Sequence, residues 1–347
     1  MTDGRAPVRD RIGLSTGYDP ALGVREFTEA VRQIDERGWE IAFFSETVAL
    51  MRDSVTALAA FATATTRVTL GCTQVVRLRS AVNMAQTIAS LDELSGGRVV
   101  LCPGACTRLH AERHGLAPGD PQLALREWIE VIRLLLSGER VSYRGQVVKL
   151  DNVGLGWKPL RAKVPLWIAA TSATGLATAG TIADGVLLNT VASPEYSENA
   201  IRIVRQAVEA AGRDWASFEV AQLINTSVED DHDRAVDAVR WEVATKFLPG
   251  KFQLQSGPRM RVGEPYIDPA LMPQLEAAHQ RGGPDALARA LPASVVEGLT
   301  IAGTPEEAVR RIQRYRDAGV RLPIVRPAAA HQTQRIIDLF SPRTLDR

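Results

Sequence analysis

The chain has 347 residues, 45% of them hydrophobic, enough to bury a large core in one α/β barrel or in two ordinary domains. Forty-one Lys plus Arg stand against 40 Asp plus Glu; the net charge of +1 offers no field to hold nucleic acid or an anionic membrane, so a small-molecule partner is expected. The polar opening MTDGRAPVRDR lacks a signal peptide's apolar core and no later run has bilayer length, while Cys72, Cys102 and Cys106 are too few for a disulfide framework or a four-cysteine metal site; these features point to a cytoplasmic protein with reduced thiols.

Short β-branched or apolar runs alternate with longer segments of helical period along the whole chain, which is the pattern of parallel βαβ construction. In chain order the expected strands are 11–16, 41–45, 68–75, 98–104, 164–170, 185–189, 218–226 and 322–326. Between them the period predicts helices over 24–37, 54–65, 81–94, 122–136, 194–211 and 305–318. At the start of the last of these, Thr304-Pro305-Glu306-Glu307 reads as a capping box with Pro in the first turn. Eight β-then-α repeats, with no Gly-rich dinucleotide fingerprint after the first strand, predict a single-domain α/β fold over 1–347, a closed (β/α)8 TIM barrel. A Pro- and Gly-rich stretch, about 246–299, follows the seventh strand and reads as an irregular lid insertion on the catalytic face.

The segment Leu91-Asp92-Glu93-Leu94-Ser95-Gly96-Gly97-Arg98-Val99-Val100-Leu101 ends a helix, turns on glycine and enters a strand. Together with Gly38-Trp39-Glu40-Ile41-Ala42-Phe43-Phe44-Ser45-Glu46, Val164-Pro165-Leu166-Trp167-Ile168-Ala169-Ala170-Thr171-Ser172, Ala183-Asp184-Gly185 and Ile301-Ala302-Gly303-Thr304-Pro305-Glu306-Glu307-Ala308, it resembles the luciferase-like monooxygenase family across nearly the whole chain apart from the lid. The resemblance implies a homodimeric barrel that holds coenzyme F420 or reduced FMN with its ring in the mouth. It places a non-prolyl cis peptide that supports the ring at Thr73-Gln74. It gives Gly104, Ala105, Cys106 and Thr107 to a ring- and ribityl-contacting loop, and Ala170, Thr171, Ser172 and Asn189 to the ends of the fifth and sixth strands. Thr171 and Ser172 also open a helix, whose free N–H groups suit a phosphate as well as they suit a plain cap.

The departures from the family bear on mechanism. Many F420-dependent relatives have an acid followed by His at the second strand end, and here Glu46 is followed by Thr47. Thr107 stands where some relatives have Glu, and Ala192 where some have Lys, which argues against a direct copy of a sugar-phosphate dehydrogenase. Cys106, His110 and His114 share one helical face, yet His-Ala-Glu-Arg-His is not a metalloprotease pattern and a fourth ligand is missing, so no metal site is expected. Glu46 and His110 remain as the candidate catalytic groups, being titratable residues near strand ends. Lys246, Lys251, Arg259 and Arg261 in the lid suit an anionic partner or plain solvent. The expected function is hydride transfer between the deazaflavin ring and a small organic substrate. Two alternatives stay open: an FMNH2-dependent monooxygenase served by a flavin reductase, and a non-catalytic flavin-binding barrel.

Overall fold

The computed structural model describes residues 11–46, 51–117 and 119–342, with the side chains of Leu109, His110, Leu254 and Gln255 set aside. The chain runs β1 (Gly13–Thr16), α1 (Val24–Glu36), β2 (Ile41–Phe44), α2 (Ser54–Ala64), β3 (Thr69–Val75), α3 (Ala81–Ser95) and β4 (Val99–Gly104). Helices α4 (Arg108–Arg113) and α5 (Pro121–Leu136) lead to an antiparallel hairpin of β5 (Val141–Arg144) and β6 (Lys149–Val153). Next come β7 (Trp167–Ala170), α6 (Ala173–Ile182), β8 (Gly185–Leu188), α7 (Pro194–Ala210) and β9 (Glu219–Val228). An excursion then carries α8 (His232–Ala244), α9 (Gly257–Val262), α10 (Met272–Ala290) and α11 (Ala293–Gly298). The chain returns through β10 (Ile301–Gly303), α12 (Pro305–Asp317), β11 (Leu322–Pro327) and α13 (Thr333–Phe340).

Eight parallel strands, in the order β1-β2-β3-β4-β7-β8-β9-β11, close on themselves where β11 pairs with β1. They are the eight expected from the sequence, so the TIM-barrel reading holds. The interior is filled by inward residues including Ile41, Phe43, Cys102, Trp167, Leu187, Leu223 and Ile324. Small residues face large ones across it: a Cβ on Gly71 would lie 2.6 Å from the Phe43 ring, and one on Gly185 2.6 Å from Trp167, so only glycine leaves room for those rings. Outside the barrel, α1 shows how a helix joins the shell: Phe27, Val31 and Ile34 line one buried stripe.

The turn after α3 is built from three devices. Gly96 ends the helix in the left-handed region (φ 68°), where an L side chain is disfavoured. Asp92, 1% exposed, is bound by Arg161. Arg98 donates to the carbonyls of Ser95 (2.7 Å), Val68 (2.6 Å) and Thr65 (2.9 Å), clamping the helix layer to β3. The capping box at α12 is present as expected, with the Thr304 N–H donating to Glu307 and the Glu307 N–H to the Thr304 hydroxyl.

The 246–299 stretch corrects the sequence reading, because it is largely helical and not irregular, and the excursion already starts at α8. Its apolar face, including Val239, Val243, Phe247, Leu287 and Val296, forms a second core that also takes in Val191 beyond β8. Polar contacts pin it to the barrel: buried Arg259 donates to the Val191 carbonyl (2.8 Å), and the Ser193 N–H donates to Glu264 (2.8 Å). Val191 is β-branched yet has φ 57°, a strained setting that these contacts hold in place.

Two predictions follow from buried charges. Asp35 accepts N–H groups of Thr66 (3.0 Å), Arg67 (2.8 Å) and Val68 (2.6 Å); burial alone raises its carboxyl, but these amides hold its pKa below the usual range. Asp35→Ala is expected to cost about 2–3 kcal/mol near neutral pH, measured by urea denaturation. Since the native pKa lies below the unfolded one of about 3.9, that difference is complete above about pH 4 and shrinks as pH falls through the native value. Lys246 behaves oppositely: burial, then the charges of Arg259 and Lys251, push it down to about 7. Lys246→Met is expected to raise stability by on the order of 1–3 kcal/mol below about pH 7, with the gain vanishing toward the unfolded pKa of about 10.4.

Candidate active site

Strand side chains alternate between the barrel axis and the helix layer, so the inward set at the level of Phe43, Gly71, Cys102, Leu187 and Ile324 fixes which residues form the next level up. That level, at the C-terminal ends of the strands, comprises Ser15, Ser45, Thr73, Gly104, Thr171, Asn189, Asn225 and Arg326. The apolar interior therefore ends in a polar ring. Its two halves differ. Around β3, β4, β7 and β8 it is open: Thr73, Gly104 and Thr171 are half-buried and Asn189 is exposed. Around β1, β2, β9 and β11 it is closed: Ser15, Ser45, Asn225 and Arg326 are all buried.

The open half holds most of the cofactor residues expected from the sequence. A Cβ on Gly104 would meet nothing nearer than Ala169 at 3.8 Å and the Gln74 carbonyl at 4.0 Å, so the wall there has room for a flat group to lie against it. Ala105 is half-buried beside it and Thr107 is exposed. Ser172 caps α6, its hydroxyl accepting the Gly175 N–H (3.2 Å), while Ala173 and Thr174 in the first turn are exposed. The end of α6 thus presents amides to whatever enters from the mouth. Thr171 also lends its carbonyl to the Tyr196 hydroxyl (3.0 Å), and Asn189 folds its side-chain oxygen onto the Thr190 N–H (2.8 Å).

Other expected residues are placed differently. The Thr73–Gln74 bond is trans and no cis peptide occurs among the described residues, correcting that expectation; β3 keeps regular pairing through Thr73↔Cys102, Gln74↔Pro103 and Val75↔Gly104. Gln74, 2% exposed, points into the helix layer, where its amide donates to the Ser54 hydroxyl (2.7 Å) and to Glu46 (3.0 Å). Ala170 faces α6, in the shell core. Cys106 is 2% exposed; burial raises its thiol pKa, with the Arg77 charge opposing. Adjacent strand residues cannot all face one side, so a run of neighbours carried over as a block divides between mouth and shell.

Glu46 is likewise turned outward. Its carboxylate accepts from Ser54 and Gln74 and lies 3.6 Å from Arg79, and its N–H donates to the Thr73 hydroxyl (2.8 Å). These bonds tie the ends of β2 and β3 to the start of α2. His110 belongs to α4, after β4, but its side chain lies outside the described residues, as does Thr47. No cluster of three or more metal-binding side chains occurs among the described residues.

The sequence reading missed the closed half. Asn225 is fully buried and neither amide atom has a partner among the described residues; the same holds for the hydroxyls of Ser15 and Ser45 and for Arg326 Nε. The Arg326 guanidinium lies 3.6 Å from the centre of the Tyr18 ring and forms an ion pair with Glu242 of α8. A polar residue at an inward position of an otherwise apolar strand, as in Leu322-Pro323-Ile324-Val325-Arg326, was the available signal.

Comparison with known proteins agrees with this architecture. The sequence model of the luciferase-like monooxygenase family matches residues 8–322. The chain is 30% identical over 267 residues to 5,10-methylenetetrahydromethanopterin reductase of Archaeoglobus fulgidus, covering 77% of this chain and 78% of the relative. It is 27% identical over 341 residues to the F420-dependent glucose-6-phosphate dehydrogenase of Nakamurella multipartita, covering 94% and 93%. Among solved structures, the coenzyme F420-dependent tetrahydromethanopterin reductase of Methanopyrus kandleri superposes with a TM-score of 0.80 at 23% identity, covering 94% of this chain and 96% of the other. With its closed eight-stranded barrel, its polar mouth and a match over residues 8–322, the chain belongs to the luciferase-like monooxygenase family.

Proposed function

We propose that this chain is an F420-dependent oxidoreductase that transfers a hydride between the deazaflavin ring and a small organic substrate. The observation that carries the reading is the open half of the mouth, where a wall of small residues at Thr73, Gly104 and Ala169 stands beside the capped start of α6. A planar ring fits the first and a phosphate the second. A relative named F420-dependent, 27% identical over 94% of this chain, supports F420 over FMN.

When bound, F420 would supply the hydride chemistry, and the protein's work is to hold, orient and shield. Thr73, Gly104 and Ala105 would take the ring, and Thr171, Ser172 and the first amides of α6 the phosphate. The excursion, seated on Val191 and Ser193 beyond β8, would exclude water from above. Glu46 acts here as a positioning residue, because its carboxylate already serves Ser54, Gln74 and Arg79. His110 stays in the proposal as the proton-handling group, and a homodimer and a cytoplasmic setting stay with it, supported by the family resemblance.

Titration of the purified protein with F420 and with FMN tests the reading. Saturable F420 binding with little for FMN is expected. Gly104→Ala should weaken F420 by about tenfold with an unchanged melting temperature, since the added Cβ meets no protein atom nearer than 3.8 Å but occupies the wall. Oxygen consumption with reduced FMN, and no affinity for F420, would assign the chain to the monooxygenases instead. For Glu46→Gln, a positioning role predicts a loss in kcat well short of the roughly 10²–10⁴-fold expected for a general acid, accompanied by a lower melting temperature.

A further inference from the structure

Buried polar groups without partners are rare in native proteins, and the closed half of the mouth gathers several in one layer that have none among the described residues. The hydroxyls of Ser15 and Ser45, both atoms of the Asn225 amide, and Arg326 Nε come from four strands that are neighbours in the barrel, with Asn225 and Arg326 directly paired in register. Strand register makes them one surface facing the axis. Over it lies the Arg326 side chain, 3.6 Å from the centre of the Tyr18 ring on one side and paired with Glu242 of the excursion on the other. That pair leaves Arg326 Nε without a partner among the described residues, so the guanidinium keeps a directional donor unused.

We propose that this half of the mouth is the substrate subsite, that Arg326 with Asn225 recognises a carboxylate or other anionic oxygen on the substrate, and that Glu242 occupies Arg326 as an internal competitor until the substrate displaces it. The guanidinium fork matches a carboxylate in two parallel hydrogen bonds, and Nε is the fork donor left over for a ligand. Asn225 adds a donor to the same oxygen, and Tyr18 holds the guanidinium plane in place. The ring and substrate then lie in opposite halves of one mouth, the first against small residues and the second against polar ones. This deepens the hydride-transfer reading and rests on it only for the word substrate, because anion binding needs no cofactor.

The test uses the cofactor-free full chain with acetate as the probe and acetamide as its neutral counterpart, followed by calorimetry. Acetate should bind and acetamide should not. Glu242→Gln should strengthen acetate by about tenfold, since removal of an internal competitor lifts the cost of displacing it. Arg326→Met should abolish binding. Asn225→Leu should weaken acetate by about tenfold while keeping or raising the melting temperature, because an unpaired buried amide is replaced by an apolar group of similar size. If neither the wild type nor Glu242→Gln takes acetate, if acetamide binds equally well, or if Arg326→Met binds as the wild type does, the proposal is overturned. Failure of F420 to bind would instead count against the hydride-transfer reading and leave these results standing.

Discussion

A closed parallel barrel turns every second residue of each strand toward one axis, and that alternation is the constraint on which the rest of this molecule depends. It makes the interior a stack of levels in which Phe43 needs Gly71 across from it and Trp167 needs Gly185. It ends the stack in a polar level, where Ser15, Asn225 and Arg326 sit on strands whose lower inward residues are aliphatic or glycine. It also sends Gln74, Ala170 and the Glu46 carboxylate outward, because each is flanked in sequence by a residue that faces in. A single geometric rule separates the groups able to touch a ligand from those that hold strand ends in place.

The charged groups sort along the same boundary. Outside the axis, buried acids are answered by amides or guanidinium groups: Asp35 by three N–H groups, Asp92 by Arg161. Beneath the excursion the balance is poorer. Lys246 lies near Arg259 and Lys251, and Val191 is kept in a strained backbone conformation by the Arg259 contact to its carbonyl. Stability is thus spent where the excursion meets the barrel, a distribution expected of a region that serves binding more than folding.

The eight barrel strands were legible in the sequence because β-branched runs such as Val68-Thr69-Leu70 and Ile324-Val325 stand between helices with clear caps. Strands β5, β6 and β10 were not: the hairpin is mostly polar and half out of the core, and β10 has three residues, too few for any period to appear. The excursion was misread for a specific reason. Most of its prolines sit at helix starts, Pro258 in α9, Pro273 in α10 and Pro292 at the cap of α11, while Pro284 resumes α10 after the kink at Gly282 and Gly283. Proline density looked like irregular chain although five of its seven prolines marked a beginning, Pro249 and Pro265 alone lying in turns. At the site, the resemblance pointed to strand ends but could not say which of two adjacent residues faces the mouth. Arg326 and Asn225 lay outside the segments that carried the resemblance.

Beyond the barrel proper, the tail of β9 and the returning β10 run side by side, with Thr226 opposite Ile301, Ser227 opposite Ala302 and Val228 opposite Gly303. The two stems of the excursion are therefore fastened to each other before either reaches the helices they carry. Closing a longer or shorter excursion on that base changes the ring-closure entropy only as the logarithm of its length. Natural variation can thus lengthen, trim or exchange α8 to α11 as a cassette, altering which molecules the mouth accepts while the barrel's own folding problem stays the same.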